Sequence, residues 1–169
     1  MPIAQILLPE FEHEMANTRK TLERIPDDKF SWKPHAKSPT LAWLAGHLST
    51  IPSWVNFTLG GDSIDLEPEG GPPPRPPEPK NRAEVLEAFD KNVKAAKEKL
   101  AATADDVMMS NWSLLKRGQK LMTLPKAAVV RTWVMNHNIH HRAQLGVYLR
   151  LLDVPVPAIY GPSADEAPF

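Results

Sequence analysis

Apolar side chains recur at steps of three and four residues along most of this chain, which is the period of a helix that buries one face. The pattern begins at Ile3 and continues to about Arg24, where Pro26 and two aspartates follow it. Because proline cannot continue a helix, we expect the first helix to end there. The next stretch, residues 30–39, holds two prolines and is predicted to be an irregular link.

A second helix is predicted after this link. Thr40 or Ser38 can cap its first turn through a side-chain oxygen, and the apolar pattern continues to about Leu59, just before two glycines. Pro52 lies inside the segment and is expected to kink or break it. His47 falls within its apolar stripe.

The middle of the chain is predicted to be less regular. Residues 62–80 hold seven prolines and are interpreted as a solvated, partly extended loop without a core of its own. Asn81, followed three residues later by Glu84, is typical of a helix start. This third helix should run to about Ala102 and be more exposed than the others.

The last helix is the most apolar one. Residues 103–123 before it are expected to be irregular, and Pro125 suits the first turn of a helix that runs to about Leu152. The residues of the irregular stretch that should pack against the bundle are Trp112, Leu114 and Leu115. No strand pattern stands out, so the predicted fold class is all-α, a helical bundle in one domain over residues 1–169.

Charge and composition exclude several classes of protein. The 20 basic and 20 acidic side chains balance, which argues against nucleic-acid binding through phosphates. No apolar run approaches the roughly 20 residues that span a bilayer, and the first residues lack the pattern of a signal peptide. A cytoplasmic protein is therefore expected. The chain has no cysteine, so any metal ion must be bound by histidine, aspartate or glutamate.

Three of the six histidines lie within five positions, at 137, 140 and 141. Residues four apart on a helix share one face, so His137 and His141 can direct two imidazoles at one ion. His140 lies about 100° around the helix from His141 and should face elsewhere. Two histidines bind a metal weakly, and a catalytic site typically has three protein ligands and an open fourth position.

His47 is the candidate for the third ligand because it lies in the apolar stripe of a different helix. Trp43 precedes it by one turn, as Trp133 precedes His137. Both histidine faces are therefore predicted to point inward, and the two tryptophans could wall a substrate cavity. The alternative is that these histidines are core side chains satisfied by hydrogen bonds, since burying an unpaired imidazole is costly.

For other polar residues near this cluster, the sequence supports a functional role less strongly. His140 is expected to hydrogen-bond Asn136, one turn back. Gln144 lies three residues after His141 and is close enough to contact the same site. Arg142 could pair with an acidic side chain of a neighbouring helix. Structural roles for Gln144 and Arg142 are as well supported by the sequence as chemical ones.

Two further histidines and the C-terminus complete the set of candidates. His13 lies on the first helix, either beside the site or at the surface. His35 follows a proline in a loop and is interpreted as a solvated turn residue. Residues 155–169 have no predicted role, although they could pack along the bundle or against a partner.

Several segments are characteristic of one family. They are residues 32–35 (WKPH) with Ser38, residues 41–48 (LAWLAGHL), His137, residues 141–145 (HRAQL) and residues 156–166 (VPAIYGPSADE). In this order they resemble the DinB-like superfamily, and the resemblance covers nearly the whole chain. Ala143 stands where the family commonly has glycine.

The resemblance implies an all-α four-helix bundle with up-down-down-up topology and a Pro-rich loop between helices 2 and 3. It also implies a divalent ion (nickel, zinc or another) on His47, His137 and His141, and the homodimer that is frequent in the family. Relatives include bacillithiol S-transferases and mycothiol-dependent maleylpyruvate isomerases. An enzyme of this kind would use the ion's open position to lower the pKa of a bound thiol or water. No catalytic side chain is assigned.

Three functions are compatible with these observations. The first is a metal-dependent transferase that uses a low-molecular-weight thiol as cosubstrate, since the chain has no cysteine of its own. The second is a metal-binding stress-response protein without catalysis, in which the ion ties the second helix to the last one. The third is a dimerisation module without metal.

Overall fold

The computed structural model of the protein describes residues 1–71 and 77–167 and is mostly helical. The α-helices are α1 (Ile3–Leu22), α2 (Leu41–Thr50), α3 (Trp54–Gly60), α4 (Arg82–Ala101), α5 (Asp105–Met109), α6 (Lys126–Val129) and α7 (His137–Leu151). The strands are β1 (Ser63–Asp65), β2 (Asn111–Lys116) and β3 (Gln119–Pro125). Within the described residues, none of the helices has the length and apolar character needed to cross a membrane.

The predicted second helix consists of α2 and α3, separated by a break at Pro52. The Thr40 hydroxyl accepts a hydrogen bond from the backbone N–H of Trp43 and caps α2. A short 3₁₀ turn, Ile51–Ser53, follows α2. Proline lacks the N–H that a regular helix needs, which explains the break at this point. The break lies one turn after His47 and confirms the prediction.

Helices α1 and α4 are close to their predicted bounds. The Asn81 side chain accepts a hydrogen bond from the backbone N–H of Glu84 and caps α4. Four residues of α4 are buried, against nine of α1, so the predicted greater exposure of α4 is confirmed. The buried residues of α4 are Val85, Phe89, Ala96 and Leu100.

One continuous helix, here called the C-terminal helix, covers residues 126–151 and directly follows Pro125. Between α6 and α7 it contains a π-helical turn, Val130–Asn136, which the sequence did not predict. Hydrogen bonding from residue i to i+5 widens this turn, so side chains after it are rotated relative to those before it. His137 is the first residue after the turn.

Four helical units pack around one core: α1, the α2–α3 pair, α4 and the C-terminal helix. Both α4 and α7 contact α1 and α2. The largest fully buried side chains are Phe11, Phe89, Met15, Leu22, Ile25, Leu41, Leu44, Leu48, Ile51, Leu100, Met108 and Met135. Each apolar side chain of this size stabilises the fold by about 1.5–3 kcal/mol through burial. The up-down-down-up order of helix directions stays a prediction.

A small sheet corrects the expectation that the chain has no strands. β2 and β3 are antiparallel, and β1 pairs with β2 in parallel. Arg117 and Gly118 connect β2 to β3 with φ values of 51° and 73°, as in the tight hairpin turn that needs two positive φ angles. Arginine is uncommon at such a φ, so the hairpin has no clear turn signal in the sequence.

The sheet has a small core of its own. Trp112 and Leu114 of β2 are buried against Val129 of α6. Both residues were predicted to be buried, but they pack between the sheet and α6 rather than in the main core. Leu115 is half-buried. The alternation of buried and less buried positions along β2 follows from the two-residue period of a strand.

Part of the predicted loop 62–80 belongs to this sheet. Ser63–Asp65 forms β1, and Ile64 packs against the small core of the sheet, so the expectation of a loop without a core is wrong there. The Asp65 carboxylate accepts hydrogen bonds from the backbone N–H groups of Gly118 and Arg117, which lower its pKa. Residues 72–76, which hold most of the remaining prolines, lie outside the described residues.

Trp112 provides a test of this second core. Its indole Nε1 is buried and has no hydrogen-bond partner among the described residues. Trp112→Phe removes this unsatisfied donor and keeps an aromatic ring, so we expect it to lower the free energy of unfolding by less than about 1 kcal/mol. Trp112→Ala should lower it by about 3–5 kcal/mol. Urea denaturation measures both values, and equal losses would contradict this packing.

Candidate metal centre

Three histidine side chains meet between α2 and α7. His137 Nε2 lies 3.0 Å from His47 Nε2 and 2.9 Å from His141 Nε2. One ligand atom from each ring lies within 4.8 Å of the other two. All three residues are half-buried. The structure thus brings together the three histidines that were predicted as metal ligands.

The helices explain how these residues converge. His137 and His141 lie one turn apart on α7, so their side chains share a face. His47 lies in α2 just before Leu48, a fully buried core residue, and α2 packs against α7. The π turn ends at Asn136 and therefore sets the rotation at which the first histidine of α7 meets α2.

Two tryptophans flank the cluster. Trp43 stacks on His47, with ring centroids 4.8 Å apart and planes inclined by 22°; the two residues lie one turn apart on α2. Trp54 of α3 contacts His137 edge-on, with centroids 5.1 Å apart, and also contacts His47. These large apolar rings keep water away from the imidazoles they touch.

Trp133 does not take its predicted inward position. Its side chain is 39% exposed, and Trp54 lies beside His137 instead. Trp133 belongs to the π turn, where four residues do not equal one helical turn. The prediction that Trp133 faces the core is therefore wrong, and α3 supplies the second tryptophan.

Burial favours the neutral form of two of the histidines. Desolvation, together with the nearby charges of His141 and His140, lowers the pKa of His137 from 6.5 to about 4. Desolvation also lowers the pKa of His141, against the opposing effect of its hydrogen bond to Gln144. Neutral imidazole is the form that binds metals, so these two rings are ready to bind at neutral pH.

Gln144 and His140 lie next to His141. Gln144 Oε1 is 2.7 Å from His141 Nδ1, which confirms that Gln144 contacts the site. Gln144 Nε2 is 3.1 Å from His140 Nε2. His140 was predicted to hydrogen-bond Asn136, but its Nε2 faces Gln144 instead, and Asn136 Oδ1 accepts a hydrogen bond from Arg131.

The two remaining histidines have local partners. His13 Nε2 lies 3.1 Å from the Asn17 amide nitrogen, one turn along α1. His35 Nδ1 accepts a hydrogen bond from the backbone N–H of Lys37, as expected for a turn residue. Neither belongs to the group of histidines that could hold an ion.

Arg142 forms the predicted ion pair with a neighbouring helix. Its Nη1 lies 2.8 Å from Glu14 Oε2 of α1, and the two side chains are 5% and 8% exposed. The Tyr160 hydroxyl donates to Glu14 Oε2 at 2.6 Å and accepts from Arg142 Nη2 at 2.5 Å. Tyr160 therefore attaches the C-terminal segment, which had no predicted role, to both α1 and α7.

The donor set fits a divalent metal ion. A neutral imidazole has one hydrogen and one lone pair on its two nitrogens, so hydrogens alone cannot satisfy both short contacts of His137 Nε2. A cation would accept the lone pairs of all three rings. Tetrahedral zinc ligands at about 2.0–2.1 Å place their nitrogens about 3.3 Å apart. The contacts of His137, at 3.0 and 2.9 Å, are close to this separation.

Comparison with known proteins identifies the family. The sequence model described as "DinB family" matches residues 3–168. The chain belongs to the DinB family. A comparison of this DinB-family chain with curated proteins found no match.

Two solved structures share the fold. A DinB-like protein from Bacillus cereus ATCC 10987 is 23% identical, with a TM-score of 0.72 over 90% of this chain and 95% of that chain. A DinB-like protein from Bacillus subtilis is 19% identical, with a TM-score of 0.68 over 90% of this chain and 96% of that chain. Because both identities are below 25%, the similarity to these two structures supports a shared fold only.

The lowered pKa of His137 predicts a pH dependence of stability in the metal-free protein. Between pH 6.5 and about 4 the unfolded chain binds a proton at this residue and the folded chain does not. The free energy of unfolding should therefore decrease as the pH falls through this window. His137→Gln should weaken the decrease, while His35→Gln, outside the cluster, should not. Urea denaturation at several pH values measures the slopes, and equal slopes in parent and His137→Gln would contradict the prediction.

Proposed function

We propose that this protein binds one divalent metal ion, zinc or nickel, on His47, His137 and His141, and that it is a metal-dependent transferase for a low-molecular-weight thiol. The convergence of three Nε2 atoms between α2 and α7 carries the proposal. A metal ion held by three imidazoles lowers the pKa of a thiol or water at its open position and so supplies a nucleophile at neutral pH.

The chain's own residues favour an anionic partner at this site. The three-histidine group contains no carboxylate, so the ligands would leave the full charge of the ion in place. Trp43 and Trp54 cover parts of the imidazole rings, and the lower local dielectric strengthens attraction between the ion and an anion. A thiolate combines negative charge with the soft sulfur that zinc and nickel accept.

The composition supports an external thiol. The chain has no cysteine, so it offers no sulfur nucleophile of its own, and the reacting sulfur must come from a cosubstrate. Imidazole ligands suit zinc, nickel, copper and iron alike, and zinc and nickel are the first ions to test. The homodimer, the cytoplasmic location and a role in stress response stay predictions.

Metal analysis tests the first half of the proposal. After incubation with zinc or nickel and removal of excess ion, we expect about one ion per chain in the parent protein. His141→Ala should lose most of it, because two imidazoles bind weakly, whereas His13→Ala should keep it. Chelation should lower the melting temperature of the parent, since the ion binds the folded state only. Near-zero metal in the parent after both incubations would reject the proposal.

A thiol-conjugation assay tests the second half. The metal-loaded parent should transfer a low-molecular-weight thiol to an electrophile, and His141→Ala should lose this activity while its circular dichroism spectrum stays unchanged. His13→Ala is the matched control and should remain active. A screen of thiols and electrophiles without activity, in protein that does hold metal, would reject the transferase and leave a metal-binding protein without catalysis.

A further inference from the structure

Gln144 lies between two histidines and contacts both of them. Its Oε1 is 2.7 Å from His141 Nδ1, and its Nε2 is 3.1 Å from His140 Nε2. All three residues belong to α7, where spacings of three and four positions place side chains on neighbouring parts of one face. The carboxamide thus faces His141 with its oxygen and His140 with its nitrogen.

This orientation determines which nitrogen of His141 carries the hydrogen. The Gln144 oxygen can only accept a hydrogen bond, so the 2.7 Å contact requires a hydrogen on His141 Nδ1. In the neutral ring, Nε2 then holds the lone pair. That Nε2 is the atom that faces the histidine cluster, 2.9 Å from His137 Nε2.

The reversed carboxamide would have the opposite effect. The amide nitrogen would then donate to His141 Nδ1, and the hydrogen of the neutral ring would move to Nε2. A hydrogen on Nε2 would point into the cluster and remove the lone pair that a metal ion needs. The orientation of one side-chain amide therefore decides whether His141 can be a ligand.

His140 stabilises the observed orientation in one of its two neutral tautomers, the one with its hydrogen on Nδ1. A neutral His140 whose Nε2 has a lone pair accepts from the amide nitrogen, which leaves the oxygen for His141. We propose that Gln144 is a positioning residue of the metal centre, which holds His141 in the tautomer that binds metal, and that His140, with its own hydrogen on Nδ1, fixes the direction of the Gln144 carboxamide. This inference rests on the proposed metal binding and adds to it two residues that are not ligands.

Zinc affinity of four variants tests the inference. Gln144→Leu removes the acceptor and should weaken zinc binding about 10-fold or more, the usual effect of losing a hydrogen-bond partner behind a metal ligand. Gln144→Glu keeps an acceptor and should stay within a few-fold of the parent. His140→Ala should weaken zinc binding in the parent but not in Gln144→Glu, because a carboxylate has no donor end that can face His141. Competition with a chromophoric zinc chelator measures all four affinities.

The tautomer of His141 is a second readout, which does not depend on metal binding. In metal-free protein at neutral pH, ¹⁵N correlation spectra of the imidazole rings should show the hydrogen of His141 on Nδ1 in the parent and in Gln144→Glu, and the hydrogen of His140 on Nδ1 in the parent; a hydrogen on His140 Nε2 in the parent would overturn the role of His140. In Gln144→Leu the hydrogen of His141 should move towards Nε2, the site that a free neutral imidazole prefers. A substitution that only destabilised the fold would not move this hydrogen from Nδ1 to Nε2.

The outcomes separate this inference from the proposed function. If the parent binds neither zinc nor nickel, the metal proposal fails, and the inference fails with it even if the tautomers follow the expected pattern. If the parent binds zinc and Gln144→Leu binds it equally well with His141 in the same tautomer, the positioning role is wrong and the metal site stands. Weaker binding in Gln144→Leu that Gln144→Glu does not rescue also overturns the positioning role.

Discussion

The close approach of three imidazole nitrogens is the constraint on which the rest of this structure depends. Two helices far apart in sequence must bring His47 and His141 within hydrogen-bond distance of His137. Such a cluster is costly without a common partner, because the rings cannot satisfy one another with hydrogens alone. The site therefore needs a rigid frame that fixes the relative position of α2 and α7, and the proposed cation at its centre would accept the lone pairs of the rings.

The frame is built from buried contacts around α7. Arg142 follows a histidine of the cluster directly and is held by Glu14 of α1 and by Tyr160. Breaking a buried ion pair is costly because one charge is left unpaired, so such a pair resists displacement of the helix. Two further ion pairs, Arg150–Asp165 and Arg24–Glu166, attach the C-terminal segment. The segment thereby becomes part of the frame of the site.

The sequence predicted the clustering of the three histidines better than their surroundings, for physical reasons. His137 and His141 are four positions apart on a regular helix, a spacing that fixes their common face. Trp133 lies in the π turn that precedes α7, where residues four positions apart no longer share a face. The β2–β3 hairpin was missed because Arg117 takes a positive φ without being glycine or asparagine. Trp54 could not be assigned to the site from spacing, since its contact with His137 depends on how α3 packs after the break at Pro52.

The account of function depends on one event, the binding of an ion by all three rings. Gln144, Trp43 and the buried network around Arg142 are interpreted through their effect on those rings. The most direct measurement is a crystal structure of zinc-loaded protein, with anomalous scattering at the zinc edge. The account predicts one strong anomalous peak, about 2.0–2.1 Å from the Nε2 atoms of His47, His137 and His141. An ion bound elsewhere, or one that contacts fewer than three of these nitrogens, would contradict it.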